Sequence, residues 1–191
     1  MALNPKLDGK VCYFTFGRFQ PPTTGHGENF AALKRAAGNE DYRIYISQKV
    51  TKNGTDPLEP DRKLYYMNKA FPEHRGKIIS GPRGVTPICQ QLMLEGYTDV
   101  IHMVGSDQVA NFQWVIPRNG IDFSFRTYEI HSTGKRDADG DTFAISGTKM
   151  RRAAFAGDFN TFRKGIPKAM NDRDCKMMME EIKKNLPANF K

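Results

Sequence analysis

The chain has 191 residues, and its 29 Lys and Arg outweigh 21 Asp and Glu for a formal net charge of +8. That length fits one α/β domain able to bury a core without disulfide or metal staples, and 13 Phe, 7 Tyr and 9 Met supply the material. Met1 to Lys10 has no apolar stretch of signal-peptide length, and nowhere do about 18 apolar residues run together, so the expectation is a cytoplasmic protein with no membrane partner.

Three cysteines (Cys12, Cys89, Cys175) are odd in number and lack zinc-ligand spacing, which reads as reduced thiols packed as small hydrophobes. The positive charge suits an anionic partner: a nucleotide, a nucleic acid or a membrane surface. It is spread from Lys6 to Lys191, densest at Lys149 to Arg152 and Lys183 to Lys184, and by itself does not choose among them.

In chain order, Val11 to Phe16 (VCYFTF) is a short apolar and β-branched run closed by Gly17, the pattern of a buried first strand. Beyond the breaker Pro21-Pro22, Glu28 to Ala37 has helical spacing with Phe30, Leu33 and Ala37 on one face and Gly38 as its stop. Tyr42 to Ser47 alternates like a strand, and residues 52–60, with Asn-Gly and two prolines, form a loop. Asp61 to Phe71 predicts a helix, Lys77 to Ser80 a brief strand, Pro87 to Gly96 a helix, and Asp99 to Val104 a strand ending at Gly105. Arg126 to Ile130 is a candidate last strand, and Asp137 to Asp141 (DADGD) a polar loop. Ser146 stands at the N-cap of a further helix, and helices over Asp158 to Lys164 and Asp172 to Asn185 close the chain.

Strands alternating with helices imply βαβ units, hence an α/β fold: a parallel sheet flanked by helices in a single domain with a C-terminal helical tail. Residues 1–165 would form the main body and 166–191 a helical extension of the same domain. Ligands of such sheets sit at the carboxyl ends of the strands, where Gly17, Gly81, Gly105 and the loop after Ser47 all fall.

Two segments at that rim carry chemistry. Gly17-Arg18-Phe19-Gln20-Pro21-Pro22-Thr23-Thr24-Gly25-His26 leaves a buried strand and enters a helix. A helix N-terminus offers unpaired N–H donors and about half a positive charge, a seat for phosphate. Thr23 and His26 are three apart and project to one side, and Gly25 between them lets a phosphate approach the backbone. His26 could equally be a surface helix-cap residue. Ile145-Ser146-Gly147-Thr148-Lys149-Met150-Arg151 is a second loop-to-helix junction, with two hydroxyls and two cations; the plain alternative is a capped helix with a charged face.

Together the segments resemble the nucleotidyltransferase superfamily marked by an HxGH-type and an ISSTxxR-type motif. The first is similar to GRFQPxHxGH with Thr23 in place of the first His, as in the TxGH of phosphopantetheine adenylyltransferases, at the loss of one cation. The second is similar to the ISGTxxR variant of nicotinamide-nucleotide adenylyltransferase and ATP sulfurylase relatives. The resemblance covers about residues 11–165 and implies a Rossmann-like sheet in which both helix N-termini face one nucleoside triphosphate, ATP favoured. It further implies catalytic roles for His26, Thr23 and Arg151, with nucleotide contacts from Gly17, Arg18, Phe19, Gln20, Gly25, Ser146, Gly147 and Thr148. Mg²⁺ would enter on the triphosphate, with no protein ligand assigned.

Val104-Gly105-Ser106-Asp107-Gln108, with Trp114 seven residues past Asp107, resembles the GxD…W stretch of bacterial nicotinamide-nucleotide adenylyltransferases. On that likeness Ser106 and Asp107 would meet a ribose or acceptor group and Trp114 would stack on a ring. Trp114 as a core aromatic and Asp107 as a helix cap are the plain alternatives. Lys49 stands where some superfamily members place a substrate-phosphate lysine, and Arg83 in Gly81-Pro82-Arg83-Gly84 could clamp an acceptor phosphate; both could also be solvated loop cations.

The leading expectation is a transferase moving a nucleoside monophosphate to a phosphate-bearing acceptor such as nicotinamide mononucleotide, releasing pyrophosphate. A cytidylyltransferase acting on a phosphorylated alcohol or sugar is the alternative within the class. A basic nucleic-acid-binding module is the alternative outside it, disfavoured because no basic and aromatic stripe is present. A homo-oligomer is compatible with all three.

Overall fold

Five short runs of β-branched and aromatic residues pair into one parallel sheet: β1 (Val11–Gly17), β2 (Asp41–Ile46), β3 (Ile78–Ser80), β4 (Asp99–Val104) and β5 (Thr127–Ser132). The computed structural model describes residues 9–134 and 145–191; the expected loop at 137–141 lies outside them. Strand order is β3-β2-β1-β4-β5, every pair parallel. Helical segments connect the strands, so the single domain is the Rossmann-like α/β architecture expected.

Pleating sends alternate residues to opposite faces. Ile44, Ile46, Ile101 and Met103 join one buried cluster, while Cys12, Phe14, Tyr45 and Val100 join the other. The first cluster is completed by α1 (Thr24–Ala37), α2 (Pro60–Ala70), α5 (Gly147–Ala156), α6 (Phe159–Lys164) and α7 (Asp172–Asn185). The second is completed by α3 (Val85–Leu94) and by the segment before β5, where the short α4 (Val109–Phe112) runs into a 3₁₀ stretch over Gln113–Arg118. Cys175, Met178, Met179 and Ile182 of α7 pack in the cluster that contains Ile44 and Met150, so the C-terminal helix shares the main core. All three cysteines are buried and unbridged.

Two elements depart from the sequence expectation. The first helix begins at Thr24, four residues ahead of Glu28, so Gly25, His26 and Gly27 form its first turn. No element was expected between Gly105 and Arg126, yet 3₁₀ and α turns fill 106–118. Among the described residues, no helix is long and apolar enough to cross a membrane.

The sheet runs outward in opposite directions from β1 and from β4, so their carboxyl ends mark the topological switch point. A crevice opens there in any doubly wound sheet.

Candidate active site

At that point lies a cavity of about 360 Å³. The carboxyl end of β1 and the loop after it (Thr15 to Gln20) form one wall, His26, Asn29 and Phe30 of α1 a second, Val104, Gly105, Gln108 and Phe112 a third, and Gly147 and Arg151 of α5 the fourth. The two loop-to-helix junctions singled out from sequence therefore meet at one cavity.

The loop after β1 has a fixed shape. A Cβ at Gly17 would lie 2.6 Å from the Phe19 ring, so only glycine leaves room for it. Phe19 holds a left-handed backbone with φ of 50°, uncommon for a residue with a side chain. Its buried ring meets His26 edge-on at 4.9 Å and Phe30 at 5.3 Å, which makes it the wall against which the imidazole rests.

Gln20 is 3% exposed and its amide behaves like a segment of backbone. Its Nε2 donates to the Leu58 carbonyl at 3.0 Å, and Leu58 N–H donates back to Oε1 at 2.9 Å. The Gln20 carbonyl in turn accepts a hydrogen bond from Arg151 Nη1 at 2.8 Å. The side chain expected to contact nucleotide thus joins the residue 51–58 loop to the loop after β1, while its main chain orients an arginine.

His26 sits in the first turn of α1. The Thr23 backbone N–H donates to its Nδ1 at 2.9 Å, and Thr23 Oγ1 lies 3.1 Å from the same nitrogen. A backbone N–H can only donate, so Nδ1 is the acceptor and the neutral ring carries its proton on Nε2. Thr23 is 2% exposed and does not line the cavity; it acts through His26. A Cβ at Gly25 would meet nothing nearer than Thr23 Oγ1 at 3.9 Å, so protein packing does not account for this glycine.

The α5 junction is tighter. Ser146 Oγ accepts from Lys149 N–H at 3.1 Å, the N-cap expected. A Cβ at Gly147 would come within 3.0 Å of Arg151 Nη1 and 3.2 Å of the Gln20 carbonyl oxygen. Arg151 is 6% exposed; its Nη2 donates to Thr148 Oγ1 at 3.2 Å and its buried Nε has no hydrogen-bond partner. Burial holds this guanidinium below its ordinary value, as does the like charge of Arg18, while Asp56 opposes both. Ser146 and Thr148 are exposed beside the cavity rather than part of its wall.

The other residues expected at the site are dispersed. Arg18 lines the cavity and is exposed. Lys49 and Arg83 are exposed on the loops after β2 and β3 and do not reach the wall. Ser106 and Asp107 are exposed between Gly105 and Gln108, which do. Trp114 is 54% exposed, so it is no core aromatic; it follows the wall residue Phe112 by two positions. Asp107 lies inside the turn Ser106–Gln108 rather than capping a helix.

Several wall residues had no signal in the sequence. Asn29 and Phe30 stand three and four residues after His26, the spacing that shares a helix face, but the helix was expected to begin later. Phe112 belongs to a turn without periodicity. Lys63 of α2 is fully buried, its Nζ donating to Ser47 Oγ at 3.0 Å; a lysine on an amphipathic helix ordinarily reads as solvated.

No protein-family model and no curated protein matches the chain. Solved structures do. The nicotinic acid mononucleotide adenylyltransferase of Plasmodium falciparum complexed with NaAD superposes with a TM-score of 0.55 at 16% identity, over 95% of this chain and 98% of that one. The same enzyme complexed with APC gives the same values. A bifunctional NMN adenylyltransferase/ADP ribose pyrophosphatase from Francisella tularensis gives 0.56 at 14% identity, over 92% of this chain and 52% of that one. At such identities the likeness is one of fold.

Proposed function

We propose that the chain is a nucleotidyltransferase that joins the adenylyl group of ATP to the phosphate of a pyridine mononucleotide and releases pyrophosphate. The observation that carries this reading is the convergence of two helix N-termini, α1 and α5, on one cavity, with Arg151 of α5 bonded to the carbonyl of Gln20 in the loop before α1. Such a pair of helix ends suits a polyphosphate, because each offers N–H donors and partial positive charge. The solved structures of the same fold named above are pyridine mononucleotide adenylyltransferases, one complexed with NaAD, which favours ATP and that acceptor class.

In this reading an oxygen of the acceptor phosphate attacks the α-phosphorus of ATP, and the bond from that phosphorus to the bridging oxygen of the β-phosphate breaks. The attacking group is already an anion, so no general base is required. Catalysis is positioning and stabilisation of the charge that grows on the pyrophosphate. His26 donates from Nε2 to a phosphate oxygen at the scissile bond, its ring fixed by the Thr23 N–H on one side and the Phe19 ring on the other. Arg151, Arg18 and the backbone at Gly147 hold the departing phosphates. Trp114 and Gln108 stand on the acceptor side.

Mg²⁺ enters as part of the substrate, MgATP. Among the described residues no group of three or more His, Cys, Asp or Glu is placed to hold a metal ion, and the charged side chains of the cavity wall are Arg18 and Arg151, beside the neutral imidazole of His26. That donor set fits an ion carried by phosphate oxygens rather than by protein.

The test is incubation with Mg²⁺, each of the four nucleoside triphosphates, and nicotinamide or nicotinic acid mononucleotide, read by pyrophosphate release and dinucleotide formation. ATP-dependent dinucleotide is the expected product. Turnover only with CTP and a phosphorylated alcohol or sugar would move the assignment to a cytidylyltransferase, and no pyrophosphate from any combination refutes the class.

A further inference from the structure

Two buried charges on the segments that follow β2, one on the 51–58 loop and one on α2, have no part in the mechanism above. Asp56 is fully buried: its Oδ2 accepts from Thr55 Oγ1 at 2.9 Å, and its Oδ1 has no hydrogen-bond partner. Lys63 is fully buried on α2, and Ser47 Oγ accepts its hydrogen bond at 3.0 Å. A buried carboxylate with an unpartnered oxygen and a buried ammonium are both costly unless other charges balance them. The balancing charges belong to the cavity. Asp56 acts electrostatically on Lys63 and on Arg151 with attractive sign, and Arg18 acts on the same two with repulsive sign.

The arrangement is thus one carboxylate among three cations, Arg18, Lys63 and Arg151, leaving two positive charges in excess. It is also joined mechanically, because the loop that carries Asp56 is tied to the loop that carries Arg18 by the Gln20–Leu58 amide pair. Of these cations Lys63 and Arg151 are buried and Arg18 is exposed, with Arg18 and Arg151 in the cavity wall, so the excess positive charge is compensated when an anion of several charges enters.

We propose that Asp56 and Lys63 are positioning residues of the phosphate site: the Lys63 ammonium adds a third positive charge behind Arg18 and Arg151, and the Asp56 carboxylate holds the three cations together. The inference rests on reading the cavity as a polyphosphate site and names the residues that set its charge. Burial pushes Lys63 down to about 8, with Asp56 opposing the fall and Arg18 adding to it. The groups facing Lys63 are Ser47 at the end of β2, Asp56 from the 51–58 loop and Arg18 from the loop after β1. Part of the ammonium is therefore lost just above neutral pH, and an arriving polyphosphate restores it by raising the affinity of the amine for its proton.

The experiment is calorimetric titration of the full chain with MgATP between pH 7 and 9.5, in buffers of different ionisation enthalpy. The expected result is proton uptake on binding near pH 8.5. Affinity should fall by about tenfold toward pH 9.5, the change if bound polyphosphate raises Lys63 by about one unit. The thiols do not interfere, since burial pushes Cys175 up to about 11 and Cys12 and Cys89 up to about 12. Lys63→Met should bind more weakly at pH 7, with no proton uptake and a flat profile. Asp56→Asn should move the fall in affinity to lower pH, because Lys63 loses the charge that supports it.

Proton uptake by the unsubstituted protein decides the matter even where Lys63→Met does not fold. Tight MgATP binding without uptake, or a Lys63→Met variant that keeps the pH slope, overturns the inference alone. Failure of the unsubstituted protein to bind any of the four Mg-bound triphosphates overturns the polyphosphate reading and this inference with it.

Discussion

Arg151→Met is the most informative single perturbation, because the guanidinium ties two segments together and, in the proposed function, also holds phosphate. Methionine keeps most of the buried stem and removes the two hydrogen bonds, Nη1 to the Gln20 carbonyl at 2.8 Å and Nη2 to Thr148 Oγ1 at 3.2 Å. A hydrogen bond from a charged group contributes about 1.5–3 kcal/mol. Against that, the variant no longer buries a charge whose Nε lacks a partner. The balance is a loss of about 2 kcal/mol, which for a chain of this size lowers Tm by about 4–8 °C. Triphosphate binding should suffer more: a charged donor aimed at phosphate contributes about 3 kcal/mol, so Kd for MgATP rises about a hundredfold. Differential scanning calorimetry gives the first number and isothermal titration the second. Thr148→Val is the control, removing only the weaker bond and lowering Tm by less than about 4 °C. A folded Arg151→Met variant that binds MgATP within about twofold of the parent refutes the phosphate role and leaves Arg151 as a packing strut.

His26→Ala should lower kcat by about 10²–10³ while changing the Kd for MgATP by less than about threefold, since the imidazole is assigned to charge that develops in the transition state; equal losses in both would mark it as a ground-state ligand. Gly147→Ala places a better helix former at the first position of α5, yet its Cβ would lie 3.0 Å from Arg151 Nη1. The expected outcome is no gain in Tm and a several-fold weaker MgATP complex, and a more stable variant with unchanged affinity would show that the Arg151–Gln20 contact does not matter. Trp114 is the single tryptophan and is 54% exposed, so its fluorescence tests the acceptor role proposed for it. Pyridine mononucleotide should quench it, and Trp114→Ala should raise the acceptor KM with Tm and the MgATP KM unchanged; no quenching at saturating acceptor would place the ring outside the acceptor site.

The sequence made the strands legible because their apolar, alternating pattern is local. It blurred the start of α1. Gly25 and Gly27 are poor helix formers, and the turn is held by contacts distant in sequence: Thr24 N–H to the Gly165 carbonyl at 3.0 Å, and the Phe71 ring 3.1 Å from where a Cβ on Gly27 would stand. Residues 24–27 decide whether His26 belongs to a loop or to a helix end. The stretch 104–108 was visible as a site segment through its resemblance, but Phe112 was not, since 3₁₀ and single α turns carry no amphipathic period. Gln20 was visible as a site residue, but its partner Leu58 was not, because nothing local announces a side chain that imitates a backbone pair. Asp56 and Lys63 were the least legible: their meaning depends on Ser47, Arg18 and Arg151 arriving from three other segments.

The hydrogen bond from Arg151 to Gln20 spans 131 positions of the chain, whereas Gln20 and Leu58 are 38 apart. Contacts of such long separation pay their loop-closure entropy before they return any stabilisation, so they belong to the late part of folding. During synthesis the loop after β1 can dock on the 51–58 loop long before α5 has left the ribosome. The cavity wall is therefore half assembled for most of the chain's production and closes only when α5 arrives. Under the proposed function, nucleotide binding then marks a late folding step, and in a refolding experiment it should lag the burial of the sheet.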